Sequence, residues 1–210
     1  MIDALNCDSD VHGIFVQQPF PKGFDAPTPR GFDAPKIISC INPIKDVDCL
    51  TAENFGLLAQ GRGVLLPCTP AGVIKLLQLE DIEIKGKHAV VVGASDIVGK
   101  PLALMLLQQL ATVTVCHIHT KDLAQHTRQA DILCVAVGKP NLITPDMIKP
   151  GAVIIDIGIN KVGKKICGDV DFDGCKEIAS YITPVPGGVG SMTIAMLIEN
   201  CINAWKLQND

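Results

Sequence analysis

Residues 87–103 read K-H-A-V-V-V-G-A-S-D-I-V-G-K-P-L-A, and this stretch decides the fold. A short valine-rich run ends in a glycine and leads directly into a helical pattern, as in the strand–turn–helix that opens a dinucleotide-binding domain. The usual fingerprint is G-x-G-x-x-G, whereas this chain has Gly93, then Ser95, then Gly99. The glycines alone are a weak signal, because they also mark ordinary tight turns, and the strand–turn–helix context strengthens it.

Downstream of this stretch, short apolar runs alternate with helical patterns. The runs are H-A-V-V-V-G (88–93), A-T-V-T-V-C (111–116), D-I-L-C-V-A-V-G (131–138) and G-A-V-I-I-D-I-G (151–158). They are apolar throughout rather than alternating, as a parallel sheet covered on both faces requires. The sequence therefore predicts an α/β fold with a doubly wound parallel sheet.

The chain divides near residue 69. Residues 1–68 contain one clear strand pattern, G-I-F-V-Q at 13–17, among helical fragments and prolines, which is too little for a domain. Thr69 and Pro70 then open an apolar helix as N-cap and first helical residue. We expect a nucleotide-binding domain over 69–190 and a C-terminal helix over 191–210 that packs back on the N-terminal part, with its methionines and Trp205 in the core.

The turn after the first strand of this domain is suited to binding a phosphate. Backbone N–H groups and the positive end of the following helix point toward an anion at such a turn. Gly93 permits the turn, Gly99 lets the helix approach the strand closely, and the hydroxyl of Ser95 is available to bond the phosphate directly.

The end of the second strand bears on which dinucleotide binds. Asp or Glu there normally binds the adenosine ribose and repels a 2′-phosphate. Residues 116–121 instead read C-H-I-H-T-K, without a carboxylate and with two histidines and a lysine. This pattern favours NADP over NAD on electrostatic grounds, and a merely solvated loop is the alternative on spacing alone.

Composition excludes several classes of protein. Lysines and arginines are scattered and the net charge is −4, which argues against nucleic acid as a partner. No apolar run is long enough to span a membrane and no signal-peptide pattern is present, so we expect a soluble, cytoplasmic protein. The nine cysteines form no C-x-x-C pair and indicate free thiols, and no ligand set completes H-I-H at 117–119, so we expect no metal site.

A short repeat lies in the N-terminal part. K-G-F-D-A-P-T-P at 22–29 is followed directly by R-G-F-D-A-P-K-I at 30–37. This period matches no solenoid unit, so the sequence predicts a local duplication within a loop.

A series of motifs, in order over nearly the whole chain, closely resembles the methylenetetrahydrofolate dehydrogenase/cyclohydrolase family. The motifs are G-I-F-V-Q-Q-P-F-P (13–21), K-D-V-D (45–48), P-C-T-P-A-G (67–72), V-V-V-G-A-S-D-I-V-G-K-P (90–101), A-V-G-K-P (136–140), D-I-G-I-N (156–160) and T-P-V-P-G-G-V-G-S-M-T (183–193). The resemblance implies NADP-dependent oxidation of 5,10-methylenetetrahydrofolate, followed by hydrolysis of the methenyl product to 10-formyltetrahydrofolate. It also implies two α/β domains with the folate in their cleft, usually in a homodimer, and a place in the one-carbon metabolism that supplies purine biosynthesis.

The same resemblance assigns residues to the folate. Gln17 corresponds to a glutamine that supports the catalytic lysine, and Asp48 to an aspartate that holds the pterin ring. Val16 and Gln18 flank Gln17 on the substrate side. The loop that closes on folate and cofactor corresponds to Pro186, Gly187, Gly188, Val189 and Gly190.

On the cofactor side, the resemblance identifies the NADP phosphate turn and a nicotinamide contact at Ile159. The full set is Gly93, Ala94, Ser95, Gly99, Lys100, Ile118, His119 and Ile159. By this resemblance, residues 1–68 are a remnant of the folate-binding catalytic domain, and 69–190 form a Rossmann-like NADP-binding domain.

The sequence departs from the family pattern at several points. Cys49 stands where K-D-V-D-G has glycine, and I-H-T replaces S-[KR]-T after His117, which leaves Lys100 or His119 to contact the 2′-phosphate. Family members also carry a Tyr-x-x-x-Lys pair whose lysine serves the cyclohydrolase step, and Tyr181 is the only tyrosine here. We therefore expect a weak or absent cyclohydrolase step. A non-catalytic nucleotide-binding or dimer-forming protein is the alternative.

Overall fold

A computed structural model of the protein describes residues 1–18 and 34–209. The chain forms two compact units, one comprising Met1–Cys68 with Leu197–Asp210 and the other Thr69–Met196. No helix within the described residues is long and apolar enough to cross a lipid bilayer.

The smaller unit is built from short helices. Their bounds are α1 (Ile2–Cys7), α2 (Ala34–Ile38), a 3-10 helix at Pro43–Lys45 and α3 (Ala52–Ala59). Most of the duplicated segment, residues 22–33, lies outside the described residues. Its last residues belong to α2, where the repeat predicts a loop.

The strand predicted at 13–17 is wrong. Within residues 1–18 and 34–68, Ile14 makes only an isolated bridge to Asp46, with its N–H donating to the carbonyl of Lys45 at 2.6 Å. The partner segment leaves a 3-10 helix and turns at once toward α3, so no extended neighbour is available along which a ladder could continue. Within 13–17 only Ile14 is buried, and Phe15 is 44% exposed, so the apolar pattern marks one anchored side chain rather than a strand.

The larger unit contains the expected succession of strands and helices. Its strands are β1 (His88–Val92), β2 (Thr112–Cys116), β3 (Ile132–Val135), β4 (Val153–Asp156), β5 (Asn160–Val162), β6 (Lys165–Cys167) and β7 (Tyr181–Ile182). Its helices are α4 (Cys68–Leu79), α5 (Gly99–Gln108), α6 (Leu123–Thr127), a 3-10 helix at Pro145–Met147, α7 (Phe172–Cys175) and the start of α8 (Val189–Asn209). Helix α4 begins at Cys68, so Thr69 lies inside the helix and is not its N-cap as predicted.

Five parallel strands form the sheet, in the order β2-β1-β3-β4-β7. Every residue of β3 and β4 is buried, because helices cover both faces and leave no position for a polar side chain to reach water. The predicted α/β fold with a doubly wound parallel sheet is confirmed. The apolar core of this unit includes Val90, Leu133 and Ile154, each fully buried and each stabilising the fold by about 1.5–3 kcal/mol.

The strand order fixes where a ligand can bind. From β1 the chain passes to β2, which pairs with one side of β1, and then crosses to β3, which pairs with the other side of β1. The order therefore reverses between β1 and β3, and ligands of open α/β sheets bind outside the carboxyl ends of the strands at such a reversal. At this edge the last residues of β1 and β3, Val92 and Val135, lie side by side.

Helix α8 extends into the smaller unit, where it packs through a narrow face. Ala204 is fully buried and, with Leu197, contacts a cluster that includes Val47 and Leu65. The prediction that Trp205 lies in the core is wrong, because its side chain is 52% exposed. The packed face carries small and medium side chains, and the larger apolar residues lie on another face of the helix. These exposed residues are Ile194, Ile198, Ile202 and Trp205.

Asn200 connects α8 to two carbonyl groups of the smaller unit. Its side-chain amide donates to the carbonyls of Val47 (2.8 Å) and Leu66 (2.7 Å), and the residue is only 4% exposed. We expect Asn200→Ala to lower the free energy of unfolding by about 2 kcal/mol, because two buried acceptors lose their donor. Urea unfolding followed by the fluorescence of Trp205, the only tryptophan, measures this loss. Glu199→Ala, on the exposed side of the same helix, is the control, and an equal loss in both variants contradicts the assignment.

Candidate functional site

The turn after β1 is shaped by two close backbone approaches. Gly93 has φ = 118°, and a Cβ atom there would overlap the carbonyl oxygen of Ala136, which follows β3. A Cβ atom on Gly99, the first residue of α5, would overlap the carbonyl oxygen of Gly93. Both glycines are therefore required by space, and the resulting cradle lies at the reversal of strand order between β1 and β3.

Ser95 stabilises this turn from inside. Its hydroxyl oxygen accepts hydrogen bonds from the N–H groups of Val98 (3.2 Å) and Gly99 (3.3 Å) at the start of α5. The hydroxyl proton stays available for a ligand, so the side chain can cap the helix and donate to a phosphate at once. Lys100 is exposed and forms an ion pair with Asp96 on the same surface.

The segment after β2 forms a tight turn with exposed side chains. The N–H of His117 donates to the hydroxyl of Thr120 (2.8 Å), and the N–H of His119 donates to Nδ1 of His117 (3.1 Å). The turn thus engages the ring of His117 at Nδ1, whereas from His119 it uses the backbone N–H. The side chain of Ile118 is 92% exposed.

Ile159 and the glycine-rich segment near residue 186 line one cavity. The cavity measures about 230 Å³, and Pro186, Gly187 and Gly188 line it together with Ile159. Two of the residues predicted as loop, Val189 and Gly190, are instead the first turn of helix α8. The structure thus brings the predicted nicotinamide contact and the predicted closing loop together.

Two buried aspartates at this edge of the sheet were missed from the sequence. Asp156 ends β4 and Asp169 follows β6, and both carboxylates accept backbone N–H groups from neighbouring loops. Burial raises the pKa of Asp156, although N–H donors from Asp169 and Val170 oppose the shift. The available signal was a glycine close to each aspartate, in D-I-G at 156–158 and G-D at 168–169.

In the smaller unit, the first two residues of K-D-V-D have structural roles. The ammonium of Lys45, 4% exposed, donates to the carbonyls of Leu5, Asn6 and Asp8 and so holds the end of α1. Asp46, 1% exposed, accepts the N–H of Thr51 (2.8 Å) and the side-chain amide of Asn54 (3.0 Å) at the start of α3. Both side chains are fully engaged.

Asp48, the last residue of that motif, is the half-buried carboxylate that the resemblance assigns to the pterin ring. Burial raises its pKa to about 6, the thiol of Cys68 lowers it through a hydrogen bond, and the nearby Asp46 carboxylate raises it further. Cys49 follows in the left-handed region at φ = 57°, where the resemblance expects glycine. Its buried thiol donates to the carbonyl of Leu65 at 3.2 Å.

Gln17 is exposed, and its side-chain amide donates to the carbonyl of Gln18 at 2.7 Å. Val16 and Gln18 are half-buried beside it. Gln17 and Asp48 therefore both lie in the smaller unit, whereas the predicted cofactor residues all lie in the larger one.

Comparison with known proteins reveals a close family likeness. Residues 67–209 match the sequence profile described as the tetrahydrofolate dehydrogenase/cyclohydrolase NAD(P)-binding domain. The bifunctional protein FolD of a Nitratiruptor species is 57% identical over 205 residues, which cover 98% of this chain and 70% of that protein.

Solved structures give the same likeness. The FolD methylenetetrahydrofolate dehydrogenase/cyclohydrolase of Campylobacter jejuni superposes with a TM-score of 0.92 at 50% identity, covering 98% of this chain and 71% of that one. The Trypanosoma brucei FolD, complexed with NADP cofactor and inhibitor, superposes with a TM-score of 0.88 at 40% identity, covering 98% of this chain and 70% of that one.

The cradle at Gly93 makes a steric prediction. We expect Gly93→Ala to destabilise the larger unit by about 3 kcal/mol or more, because a methyl group is forced into the Ala136 carbonyl at a positive φ. Gly151→Ala is the matched control, since Gly151 also has positive φ (79°) but open space around it, and about 1 kcal/mol is expected there. Thermal unfolding of both variants, followed by circular dichroism, measures the two losses. Equal losses of stability would contradict the steric role assigned to Gly93.

The burial of Asp48 predicts a dependence of stability on pH. Below about pH 4 the carboxyl is protonated in both folded and unfolded chains, so its burial does not lower the free energy of unfolding. Between about pH 4 and 6 it ionises in the unfolded chain first, so the free energy of unfolding falls as pH rises, and the loss is complete above about pH 6.

Asp48→Asn removes this titration. At each pH, the free energy of unfolding of the variant minus that of the parent is measured by urea unfolding. We expect this difference to increase by about 1–2 kcal/mol from pH 4.5 to pH 7.5. Asp10→Asn, on the exposed surface of the same unit, should leave the difference flat. A flat difference for Asp48→Asn as well would mean that the carboxyl is not perturbed by burial.

Proposed function

The chain belongs to the tetrahydrofolate dehydrogenase/cyclohydrolase family, and on that premise we propose that it oxidises 5,10-methylenetetrahydrofolate to the 5,10-methenyl form with NADP as acceptor. The observation that carries the proposal is the cradle at Gly93, formed at the reversal of strand order in a domain whose sequence matches the family's NAD(P)-binding profile. The relative complexed with NADP supports the choice of cofactor.

The residues present fit a dinucleotide phosphate. Two glycines leave room where any Cβ atom would collide with backbone, and the start of α5 supplies the positive end of a helix dipole. Ser95 offers its hydroxyl proton, and Ala94 lies between Gly93 and Ser95 in the same turn. When bound, NADP accepts a hydride from the folate methylene group.

The segment after β2 is assigned to the 2′-phosphate. No carboxylate occurs over 116–121, and His119 and Lys121 are exposed beside Ile118. Lys100 is occupied by Asp96, which leaves His119 as the better partner of the two that the sequence suggests. A charge-assisted hydrogen bond from imidazolium to phosphate would favour NADP over NAD.

Asp48 is assigned to the pterin ring. An ionised carboxylate accepts the paired N–H donors of an aminopyrimidine, and Asp48 is the carboxylate of K-D-V-D that is not consumed by the fold. Hydride transfer requires the folate to be held in register and requires no proton donor from the protein. Gln17 is assigned to the same folate site, where its side-chain amide would contact the substrate.

The cyclohydrolase step is proposed to be weak in the 210-residue chain. Addition of water to the methenyl carbon gains about a hundredfold or more from a positioned acid–base group. The only tyrosine, Tyr181, lies in β7 and is not followed by lysine at the fourth position, so the chain offers no Tyr-x-x-x-Lys pair. The rival proposal, a non-catalytic nucleotide-binding or dimer-forming protein, follows if the folate is not held at all.

We further propose a homodimer in the cytoplasm that contributes to the one-carbon supply for purine biosynthesis. The support is the family membership and the soluble composition of the sequence. Light scattering of the purified chain tests the dimer.

A continuous absorbance assay for NADPH with methylenetetrahydrofolate as substrate tests the function. We expect NADPH formation by the parent chain and, for Asp48→Asn, a KM for the folate raised about tenfold or more with the affinity for NADP unchanged, since only the pterin contact is lost. Asp10→Asn should behave as the parent does.

Calorimetric titration separates the proposals. Binding of NADP without binding of tetrahydrofolate favours the non-catalytic rival. Full cyclohydrolase turnover by the same preparation would overturn the claim that this step is weak.

A further inference from the structure

We propose that Asp169, supported by Asp156, is a positioning residue that sets the two loops flanking the nicotinamide half of NADP. The proposal rests on the proposed function and goes beyond it, because neither aspartate belongs to the cofactor set implied by the family resemblance. The two loops are residues 136–139, after β3, and 157–160, after β4.

The carboxylate of Asp169 is surrounded by N–H donors. It is fully buried and accepts the backbone N–H groups of Val137 (2.7 Å), Gly138 (2.9 Å) and Lys139 (2.8 Å), and the side-chain amide of Asn160 (2.8 Å). Three consecutive N–H groups directed at one anion form a backbone nest. The negative charge is thus balanced by dipoles, and neither aspartate has an ion pair among the described residues.

Asp156 fixes Asp169 in turn. Its carboxylate, 3% exposed, accepts the N–H groups of Gly158 (3.1 Å), Asp169 (2.9 Å) and Val170 (2.9 Å). The two glycines next to the pair are required by space: a Cβ on Gly158 would overlap the carboxylate of Asp169, and a Cβ on Gly168 would overlap that of Asp156. The two carboxylates and two glycines thus interlock, and a side chain at either glycine would displace a carboxylate.

The interlocked loops adjoin the predicted cofactor contacts. Ala136, which begins the first loop, presents the carbonyl that lies over Gly93 in the phosphate cradle. Ile159, in the second loop, is bonded to Asn160 and lines the cavity shared with Gly187 and Gly188. Ala136 itself is also held by the sheet, because its N–H donates to the carbonyl of Val92 at 2.8 Å. The Asp169 carboxylate therefore sets the loop beyond Ala136 and the wall that carries Ile159, and leaves the phosphate cradle at Gly93 in place.

Asp131 provides a matched control at the opposite edge of the same sheet. Its carboxylate also accepts a backbone N–H, from His88 at 2.9 Å, and forms an ion pair with Lys149. It precedes β3 rather than following it, away from the carboxyl ends of the strands. Asp131→Asn makes the same chemical change in the same unit and is expected to cost stability without altering cofactor binding.

The experiment compares Asp169→Asn, Asp131→Asn and the parent chain. An amide at residue 169 directs an NH₂ group at N–H donors, which releases the loops. We expect Asp169→Asn to weaken NADP binding about tenfold while adenosine 2′,5′-bisphosphate, which lacks the nicotinamide half, binds within about twofold of the parent. Hydrogen–deuterium exchange of the uncomplexed chain should become faster at 137–139 in this variant alone.

Each outcome has one meaning. Unchanged NADP affinity in Asp169→Asn, or equal weakening of NADP and adenosine 2′,5′-bisphosphate, overturns the positioning role. The same selective weakening in Asp131→Asn also overturns it, because the effect would then be general. A parent chain that binds no NADP overturns the proposed function and this inference with it, whereas a parent that binds NADP with no change in the variants overturns this inference alone.

A milder variant covers failure of Asp169→Asn to fold. Asn160→Ala removes a single donor and leaves the carboxylate and its backbone nest in place. We expect NADP affinity about threefold lower, adenosine 2′,5′-bisphosphate affinity unchanged, and faster exchange confined to 157–160. Unchanged NADP affinity here contradicts the proposal as directly as in the first variant.

Discussion

The structure depends on a contact between two pieces of backbone, the turn at Gly93 and the carbonyl of Ala136. Parallel strands bring their carboxyl ends to one edge of the sheet, and the reversal of strand order opens a gap between the loops that follow β1 and β3. The gap is narrow, so the turn must pass beneath the Ala136 carbonyl, and only a residue without a Cβ atom fits. The helix that begins at Gly99 then approaches the same turn from the other side. The strand order creates this crowded point, and the positions of Gly93 and Gly99 at the start of α5 follow from it.

Buried carboxylates organise the loops in both units, and Asp48 differs from them in how few donors surround it. Asp46 and Asp169 are each surrounded by N–H groups and have no capacity left for a ligand. Asp48 is partly buried with fewer donors, so its charge is poorly compensated and its pKa is raised. The aspartates of this chain thus differ in how many N–H donors the fold provides to each of them. The residue type alone does not distinguish them.

The sequence predicted the parallel sheet and the glycine turn after β1 because both depend on local patterns. Uninterrupted valine and isoleucine runs require burial on two faces, and a strand that ends in glycine before a helix has few alternatives. The supposed strand at 13–17 and the buried Trp205 were wrong because each depended on a partner surface that the sequence does not display. Asp156 and Asp169 were missed for the same reason: their partners are backbone N–H groups of other loops, which leave no trace in composition or spacing. The D-I-G and G-D pairs were the only local sign of the crowding around them.

The left-handed backbone at Cys49 restricts how this position can change by mutation. The conformation disfavours any side chain with a Cβ atom, and the cysteine is retained with a buried thiol bonded to the Leu65 carbonyl. Replacement by alanine or serine would keep the conformational cost and lose the sulfur contacts. A β-branched residue would have the same two disadvantages and a steric clash in addition. Glycine would lose the thiol as well, but it would also remove the conformational cost of the left-handed backbone. Among single substitutions, glycine is thus the least obstructed, and residue 49 tolerates few side chains other than the cysteine it carries.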